Sequence, residues 1–266
     1  MHRIWYKDWF NTQQYLDLYK HRNDSDAKKI ITLLLKNIHL PKGSECLDLA
    51  CGNGRHSLLF AKKGYHVTGI DLSPYLIKQA QQRLHKEYKA YSGNLNFIIR
   101  DMRKIEYKNK FDLVVNLFSS FGYFDSDTEN FKVLKGVSRA LKHGGYFLFD
   151  FLNKEHLTRN IVPFDLKILN MTAYLQLRHI ENSFVVKNIF IIQSSHKYKA
   201  PKIHHYFEKI RLYSLVDLRN EFKKNRLKVI KVFGDYEGKP YFKTKSERLI
   251  ILARKVNSER SRSVNS

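Results

Sequence analysis

Short apolar runs alternate with amphipathic segments through the first part of the chain. Runs typical of buried strands occupy residues 46–50, 65–71, 95–100, 111–118 and 145–151. Segments with apolar residues at helical spacing lie between them, at 55–64, 74–89 and 128–142. Because strands of a parallel sheet are covered by helices on both faces, this alternation predicts a doubly wound α/β fold.

The pattern changes after residue 151. Three longer segments with strand-like alternation, near 166–180, 183–196 and 203–213, predict an antiparallel β insertion after the fifth strand. The first pattern then returns with a helix at 215–225 and strands at 227–236 and 247–255. The seven strands outside the insertion are expected to form one mostly parallel, Rossmann-like sheet.

These patterns predict how the chain is divided. Residues 1–153 and 214–256 are expected to form the α/β domain, and residues 154–213 an inserted antiparallel β cap. Residues 1–38 are expected to form a helical N-terminal lid, with helices at 12–21 and 24–37. The polar, basic residues 257–266 are expected to be a disordered tail.

Composition places the chain among globular proteins. Of its 266 residues 43% are hydrophobic, and no stretch has the roughly 18 consecutive apolar residues that a membrane span needs. The N-terminal segment lacks the apolar core of a secretory signal, so a cytoplasmic location is expected. Cys46 and Cys51 are expected to be free thiols, and no metal site is predicted around them.

The net charge of +23 raises the question of a polyanionic partner. The basic surplus has nearly the same density inside and outside residues 154–211, whereas a nucleic-acid interface concentrates charge on one face. Compositional drift in a Lys-, Ile- and Asn-rich sequence is therefore favoured, and nucleic acid stays an alternative partner.

A glycine-containing turn follows the first predicted strand. The strand includes Asp48, and Gly52 and Gly54 lie between it and the next helix. Glycines allow the backbone to approach a ligand closely, and such turns serve nucleotide-like ligands at the carboxyl end of a first strand. Ser57 occupies the position of the third glycine of a dinucleotide motif, which disfavours a dinucleotide.

Acidic residues end the next two predicted strands. Asp71 is positioned to accept hydrogen bonds from the hydroxyls of a ribose, although it also fits a cap for the helix that begins near Pro74. Asp101 is positioned to reach an adenine amino group while Met102 packs on the ring, although Asp101 also fits a simple loop carboxylate.

Taken together, these residues resemble the class I S-adenosylmethionine-dependent methyltransferases, over residues 9–151 and 215–255. The resemblance implies S-adenosyl-L-methionine as cofactor and S-adenosyl-L-homocysteine as product. It also implies a set of cofactor-binding residues, with Ala50 where the family often has a glycine: Asp48, Ala50, Gly52, Gly54, Asp71, Leu72, Asp101, Met102, Asn116 and Leu117.

Three further segments, at 9–22, 117–124 and 233–241, resemble a bacterial small-molecule branch of that superfamily with a β-rich cap. By this resemblance Tyr19 and Arg22 fold over the cofactor, with Arg22 as a partner for its carboxylate. A plain surface cation is the alternative for Arg22.

The reaction requires little chemistry from the protein, because a methyl group on a sulfonium is already activated and positioning supplies much of the acceleration. The polar residues expected to face an acceptor are Tyr123, His204, His205 and Tyr206, each of which also fits an ordinary strand or loop position. The residues expected to line an apolar pocket, or else to form core, are Phe118, Phe121, Tyr123 and Phe124.

The leading hypothesis is a methyltransferase that transfers a methyl group to a nitrogen or oxygen of a small molecule by in-line displacement. One alternative is an RNA methyltransferase acting on tRNA or rRNA, and another is a non-catalytic cofactor-binding subunit. No membrane partner is expected, and the sequence leaves a monomer and a homodimer equally open.

Overall fold

The computed structural model describes residues 4–20, 24–87, 89–169, 171–193 and 200–257. The first part of the chain alternates helices and strands as the sequence predicts. Its elements are α1 (Trp5–Trp9), α2 (Gln13–Leu18), α3 (Asp24–Asn37), β1 (Glu45–Leu49), α4 (Arg55–Lys62), β2 (His66–Asp71), α5 (Pro74–Glu87), β3 (Leu95–Ile99), β4 (Phe111–Asn116), α6 (Asp127–Ala140) and β5 (Leu141–Leu152).

The second part holds the insertion and the return to the main sheet. Its elements are α7 (Lys154–Asn160), β6 (Phe164–Leu169), β7 (Thr172–Glu181), β8 (Phe184–Gln193), β9 (Lys202–Arg211), α8 (Leu215–Lys224), β10 (Leu227–Phe233) and β11 (Arg248–Lys255). Strands β6 to β9 form a separate antiparallel sheet in chain order.

The other seven strands form one sheet in the order β10-β11-β5-β4-β1-β2-β3. Strands β1 to β5 pair in parallel, and β11 joins β5 and β10 in antiparallel pairs. The strand order reverses direction at β1 and β4, and ligands of open α/β sheets bind at the carboxyl ends beside such a point. The predicted fold class is therefore confirmed.

Each face of the main sheet carries its own apolar cluster. One cluster joins Cys46 of β1 and Leu113 of β4 to Ile30 of α3, and the other joins Phe147 and Phe149 of β5 to Phe222 of α8. Alternate residues of each strand therefore point to opposite layers of helices. This packing fixes the strand ends from which the candidate site is built.

Two predicted segments differ from the observed elements. Residues 166–180 were expected to form one strand but contain parts of β6 and β7, which are separated by a tight turn where Met171 has a φ of 60°. The turn carries neither glycine nor proline, so the apolar alternation continues through it. The helix predicted at 12–21 is α2, which Thr12 caps by accepting a hydrogen bond from the Tyr15 backbone N–H, and α1 precedes it.

The domain boundaries and the N-terminal lid stay predictions, and residues 258–266 of the predicted tail lie outside the described residues. Among the described residues, no helix is long and apolar enough to cross a membrane.

Candidate active site

The turn after β1 adopts a left-handed backbone at three positions: φ is 53° at Ala50, 58° at Gly52 and 78° at Gly54. A Cβ atom added at Gly52 would meet no atom within 4 Å, whereas one added at Gly54 would lie 2.5 Å from Cζ of Phe97. Gly52 therefore faces open space, and Gly54 allows the turn to pack closely on β3.

Asp71, at the end of β2, fastens this turn. Its Oδ2 accepts a hydrogen bond from the Gly52 backbone N–H at 2.9 Å, and its Oδ1 accepts one from the Ser73 N–H at 2.8 Å. Burial raises the pKa of Asp71, and these backbone donors oppose the increase. The predicted cap of α5 is supplied by Ser73, whose Oγ accepts from the Leu76 N–H at 3.1 Å.

Asp101, after β3, is held by a neighbouring arginine. The Arg103 guanidinium donates to both Asp101 oxygens, with Nη2 to Oδ2 at 2.6 Å and Nε to each oxygen at 3.1 Å. Burial acts to raise the pKa of Asp101, but the hydrogen bonds and charge of Arg103 hold it below its ordinary value. The carboxylate is therefore ionised beside Met102, whose side chain is buried.

Two adjoining cavities lie at the carboxyl edge of the sheet. The smaller, of about 350 Å³, is lined by Asp71, Leu72, Asp101 and Met102 among others, and the larger has a volume of about 880 Å³. Six residues line both cavities and so mark their junction: Phe10, Tyr15, Ala50, Gly52, Ser120 and Tyr123.

Asp48 lies on the wall of the larger cavity. Its carboxyl group is buried and its Oδ2 accepts a hydrogen bond from Ser57 Oγ at 2.6 Å. Burial raises the pKa of Asp48 to about 7; the Ser57 hydroxyl opposes the increase and the Asp71 charge adds to it. The charge of this wall therefore changes near neutral pH.

The loop after β4 forms another part of the larger cavity wall through Leu117, Phe118 and Ser119. Phe118 and Ser119 have φ of 56° and 64°, a left-handed conformation that costs on the order of 1–3 kcal/mol at each non-glycine residue. The Phe118 ring centroid lies 4.6 Å from Cζ of Arg55 and 5.1 Å from the His56 ring centroid. The loop conformation therefore depends on groups that surround it.

Two residues predicted to contact the cofactor line neither cavity. Gly54 packs closely against the Phe97 ring, where a residue with a Cβ atom would clash, and it lines neither cavity. Asn116 is fully buried, and its Nδ2 donates to the carbonyl oxygens of Ser120 at 3.0 Å and Leu49 at 3.3 Å. The geometry gives both residues a supporting function, and their direct contact with a cofactor stays a prediction.

The second sheet contributes a buried ion pair to the larger cavity. Lys187 Nζ of β8 lies 2.7 Å from Oε2 of Glu208 on β9, directly across the strand pair. Trp9 Nε1 and the Tyr19 hydroxyl donate to Glu208 Oε1 at 2.8 Å and 2.6 Å, and Lys187 also donates to the Tyr19 hydroxyl. Burial acts to raise the pKa of Glu208, but the Lys187 charge and these donors hold it below its ordinary value.

This group of four side chains, the Glu208 network, was not predicted beyond Tyr19. Lys187 and Glu208 lie in two segments of ordinary strand alternation. The one sequence signal for an ion pair was a basic residue on one predicted strand and an acidic residue on the next. Tyr19 does line the larger cavity. Arg22 lies outside the described residues.

The predicted catalytic candidates differ in their position relative to the two cavities. Tyr123 lies at the junction of the cavities. His205 and His204 are exposed and line neither cavity, and the His205 ring stacks on Phe190 with 4.6 Å between centroids. Tyr206 packs on Trp9 and also lines neither cavity. None of the three β9 residues lines either cavity, and the expectation that they face an acceptor stays a prediction.

The aromatic residues of the loop after β4 divide between wall and core. Phe118 lines the larger cavity and Phe124 the smaller, whereas Phe121 is fully buried against Phe149 and Phe151. The alternative interpretation of Phe121 as core is the one that the geometry supports.

His56 is a wall residue that sequence reasoning missed. It lies in the first turn of α4 and is only 6% exposed, and its Nε2 has no hydrogen-bond partner. Burial, with the nearby Arg55 charge, lowers its pKa well below the ordinary value, so the imidazole is neutral. Its position directly after the glycine turn was the available signal.

The residues present fit an adenosyl cofactor. Gly52 leaves open space where a side chain would stand, the buried Asp71 and the partly buried Asp101 present carboxylates to one cavity, and that cavity joins a larger one. Both volumes fall in the range of small-molecule sites. Among the residues that the structure describes, no group of three or more His, Cys, Asp or Glu side chains could hold a metal ion.

Comparison with known sequences identifies the family. Residues 40–209 match the model of a methyltransferase domain. A putative methyltransferase, YqeM of Bacillus subtilis (strain 168), is 39% identical over 112 residues, which span 42% of this chain and 43% of that protein. The cypemycin N-terminal methyltransferase of a Streptomyces species is 27% identical over 218 residues, covering 80% of this chain and 84% of that protein.

Comparison with solved structures gives the same fold. An S-adenosylmethionine-dependent methyltransferase from Clostridium acetobutylicum superposes with a TM-score of 0.76 at 22% identity, covering 92% of this chain and 98% of that one. The family match covers more than half of the chain. The chain therefore belongs to the methyltransferase domain family, and its fold is that of an S-adenosylmethionine-dependent methyltransferase.

Proposed function

We propose that this protein transfers the methyl group of S-adenosylmethionine to an amine nitrogen of a small molecule. The observation that carries the proposal is the junction of the two cavities, where one space suited to a nucleoside opens onto a second, larger space. A methyl donor in the first space and an acceptor in the second would meet at Ser120 and Tyr123.

The cofactor assignment follows the smaller cavity. Asp71 would accept hydrogen bonds from the ribose hydroxyls, while Asp101 and Met102 would hold the adenine. Ala50 and Gly52 would bring backbone close to the amino-acid part, which would extend across the junction into the larger cavity, beside the acceptor and with Asp48 near its ammonium group. When bound, S-adenosylmethionine supplies a methyl group on a positively charged sulfur.

The larger cavity supports a small acceptor. Its volume of about 880 Å³ lies within the range of small-molecule sites, which favours a small molecule over RNA. Aromatic side chains around the junction, including Phe10, Tyr15 and Tyr123, would exclude water from the transfer path.

Two observations favour nitrogen over oxygen. A neutral amine attacks the methyl group through its free electron pair, and the ammonium ion that forms releases its proton to water afterwards, so the transfer step needs no general base; this is consistent with His204, His205 and Tyr206 lying away from both cavities. One relative, which matches 80% of this chain, is named as an N-terminal methyltransferase, and such an enzyme acts on an amine.

The first test is calorimetric titration with S-adenosylmethionine and S-adenosylhomocysteine. We expect both to bind, and we expect Asp71→Asn to weaken both while Asp8→Asn, which removes an exposed carboxylate outside both cavities, leaves them unchanged. If neither ligand binds, the proposal fails.

The acceptor test measures S-adenosylhomocysteine production with free amino acids, amino sugars, peptides with a free N-terminus, and total tRNA and rRNA. Turnover with one of the amines supports the proposal. Turnover with RNA alone replaces it with the RNA methyltransferase alternative. Cofactor binding without turnover on any amine or RNA favours the non-catalytic subunit.

A further inference from the structure

A buried ion pair lies directly behind the loop after β4. Arg248 of β11 donates from Nη2 and Nε to Oδ1 of Asp150 on β5, at 2.7 Å and 2.9 Å. Asp150 is fully buried, and neither residue lines either cavity. The pair therefore acts on a ligand only through the residues that it touches.

The pair holds the left-handed turn at Phe118 and Ser119 from several directions. Asp150 Oδ2 accepts from the Phe118 backbone N–H at 2.9 Å, and the Asp150 carbonyl oxygen accepts from the Ser119 N–H at 3.0 Å. Arg248 Nη2 donates to Ser119 Oγ at 2.9 Å. Both strained residues are thus bonded to the same pair.

A tyrosine completes the arrangement. The Tyr236 hydroxyl donates to Asp150 Oδ2 at 2.9 Å, and the Tyr236 ring lies 5.7 Å from the Phe118 ring between centroids. Each Asp150 carboxylate oxygen therefore accepts two hydrogen bonds, which fixes its orientation.

The turn leads directly to the junction of the cavities. Phe118 and Ser119 line only the larger cavity, whereas the next residue, Ser120, lines both. A shift of the turn would displace the wall beside the proposed transfer path, and small misplacements of positioning groups reduce transfer strongly.

We propose that Asp150 and Arg248 are positioning residues for methyl transfer, which hold the strained turn at Phe118 and Ser119 against the amino-acid part of the bound cofactor. The inference rests on the proposed function. We expect the ion pair to affect ligand contacts in the larger cavity selectively, because Phe118 and Ser119 do not line the smaller cavity, which would hold the adenosine.

The test compares two ligands that share the adenosyl group. S-adenosylhomocysteine carries the amino-acid part and 5′-methylthioadenosine lacks it, so the ratio of their affinities reports on the turn. A general loss of folded protein lowers both affinities together and leaves the ratio unchanged. Isothermal titration calorimetry measures both on the full chain.

We expect Asp150→Asn to reduce this ratio about tenfold, the size of one lost charge-assisted hydrogen bond. Arg248→Lys, which keeps the charge but not the paired donors, should reduce it less, and so should Tyr236→Phe, which removes one hydroxyl and keeps the ring. If Asp150→Asn does not fold, the two milder variants decide the question.

The matched control is Lys142→Met, which removes an ion pair of the same sheet at the amino ends of β4 and β5, away from the cavities, where Lys142 Nζ lies 2.8 Å from Asp112 Oδ2. Its ratio should equal that of the unsubstituted protein. Unchanged ratios in all three test variants, or an equal fall in the control, would overturn the inference. Failure of the unsubstituted protein to bind S-adenosylhomocysteine would instead defeat the proposed function itself.

Discussion

Replacing Asp48 with asparagine should stabilise the folded protein above neutral pH while weakening cofactor binding. Asparagine has the shape of the protonated carboxyl group and its oxygen can still accept the Ser57 hydroxyl hydrogen bond. The ionised carboxylate, by contrast, is charged in a fully buried position. The substitution therefore removes a charge that folding disfavours.

The magnitude follows from the pKa of Asp48. An acid with an ordinary pKa of 3.8 and a folded-state pKa of about 7 binds its proton more tightly in the folded protein. Its contribution to stability is complete below about pH 4 and is lost as the pH rises through 7, reaching a total of about 4 kcal/mol. Between pH 5 and pH 8 the loss is about 2.5 kcal/mol.

Urea unfolding of the cofactor-free protein at pH 5, 6, 7 and 8 measures this effect. The excess stability of Asp48→Asn over the unsubstituted protein should grow by about 2.5 kcal/mol across that range. Ser57→Ala, which removes the hydroxyl that lowers the pKa of Asp48, serves as the matched control and should keep the pH dependence. An Asp48→Asn variant whose stability follows the unsubstituted protein at every pH would refute the reasoning.

Four further substitutions test the site. Gly54→Ala places a methyl group 2.5 Å from Cζ of Phe97 in a left-handed backbone and should destabilise folding by about 2–4 kcal/mol in urea titrations. Gly52→Ala meets no atom within 4 Å, so it should cost about 1 kcal/mol of stability and chiefly weaken S-adenosylhomocysteine binding. Equal destabilisation by the two variants would contradict this reasoning. Asp71→Asn should weaken calorimetric binding of S-adenosylhomocysteine by about 1–3 kcal/mol, and an unchanged affinity would remove Asp71 from the site. Glu208→Gln leaves the largely buried ammonium group of Lys187 without a counter-charge and should destabilise the protein by about 3 kcal/mol in urea titrations; an unchanged stability would argue against the ion pair.

The main sheet and its glycine turn were predictable because they depend on local patterns. Buried parallel strands require continuous apolar runs, and glycine occupies two of the three left-handed positions in the turn after Asp48, at Gly52 and Gly54. Asp71 and Asp101 were predictable for a related reason, because the carboxyl ends of neighbouring parallel strands meet at one edge.

The rest of the site depends on contacts between distant segments. The Glu208 network joins residues up to 199 positions apart, and no local pattern distinguishes Glu208 from other acidic strand residues. The orientation of His205 and Tyr206 depends on how the second sheet packs on the N-terminal helices. Met171 shows the same limit for the fold, because a tight turn without glycine or proline leaves the apolar alternation intact.

The Glu208 network also sets the electrostatic cost of separating the N-terminal segment from the inserted sheet. Both charged partners belong to neighbouring strands of the inserted sheet, whereas the neutral donors, Trp9 and Tyr19, belong to the N-terminal helices. Separation of Trp9 and Tyr19 from the sheet exchanges three hydrogen bonds, two to Glu208 and one from Lys187, for bonds to water and keeps the ion pair whole. Such a separation therefore avoids the energetic penalty of isolating a charge.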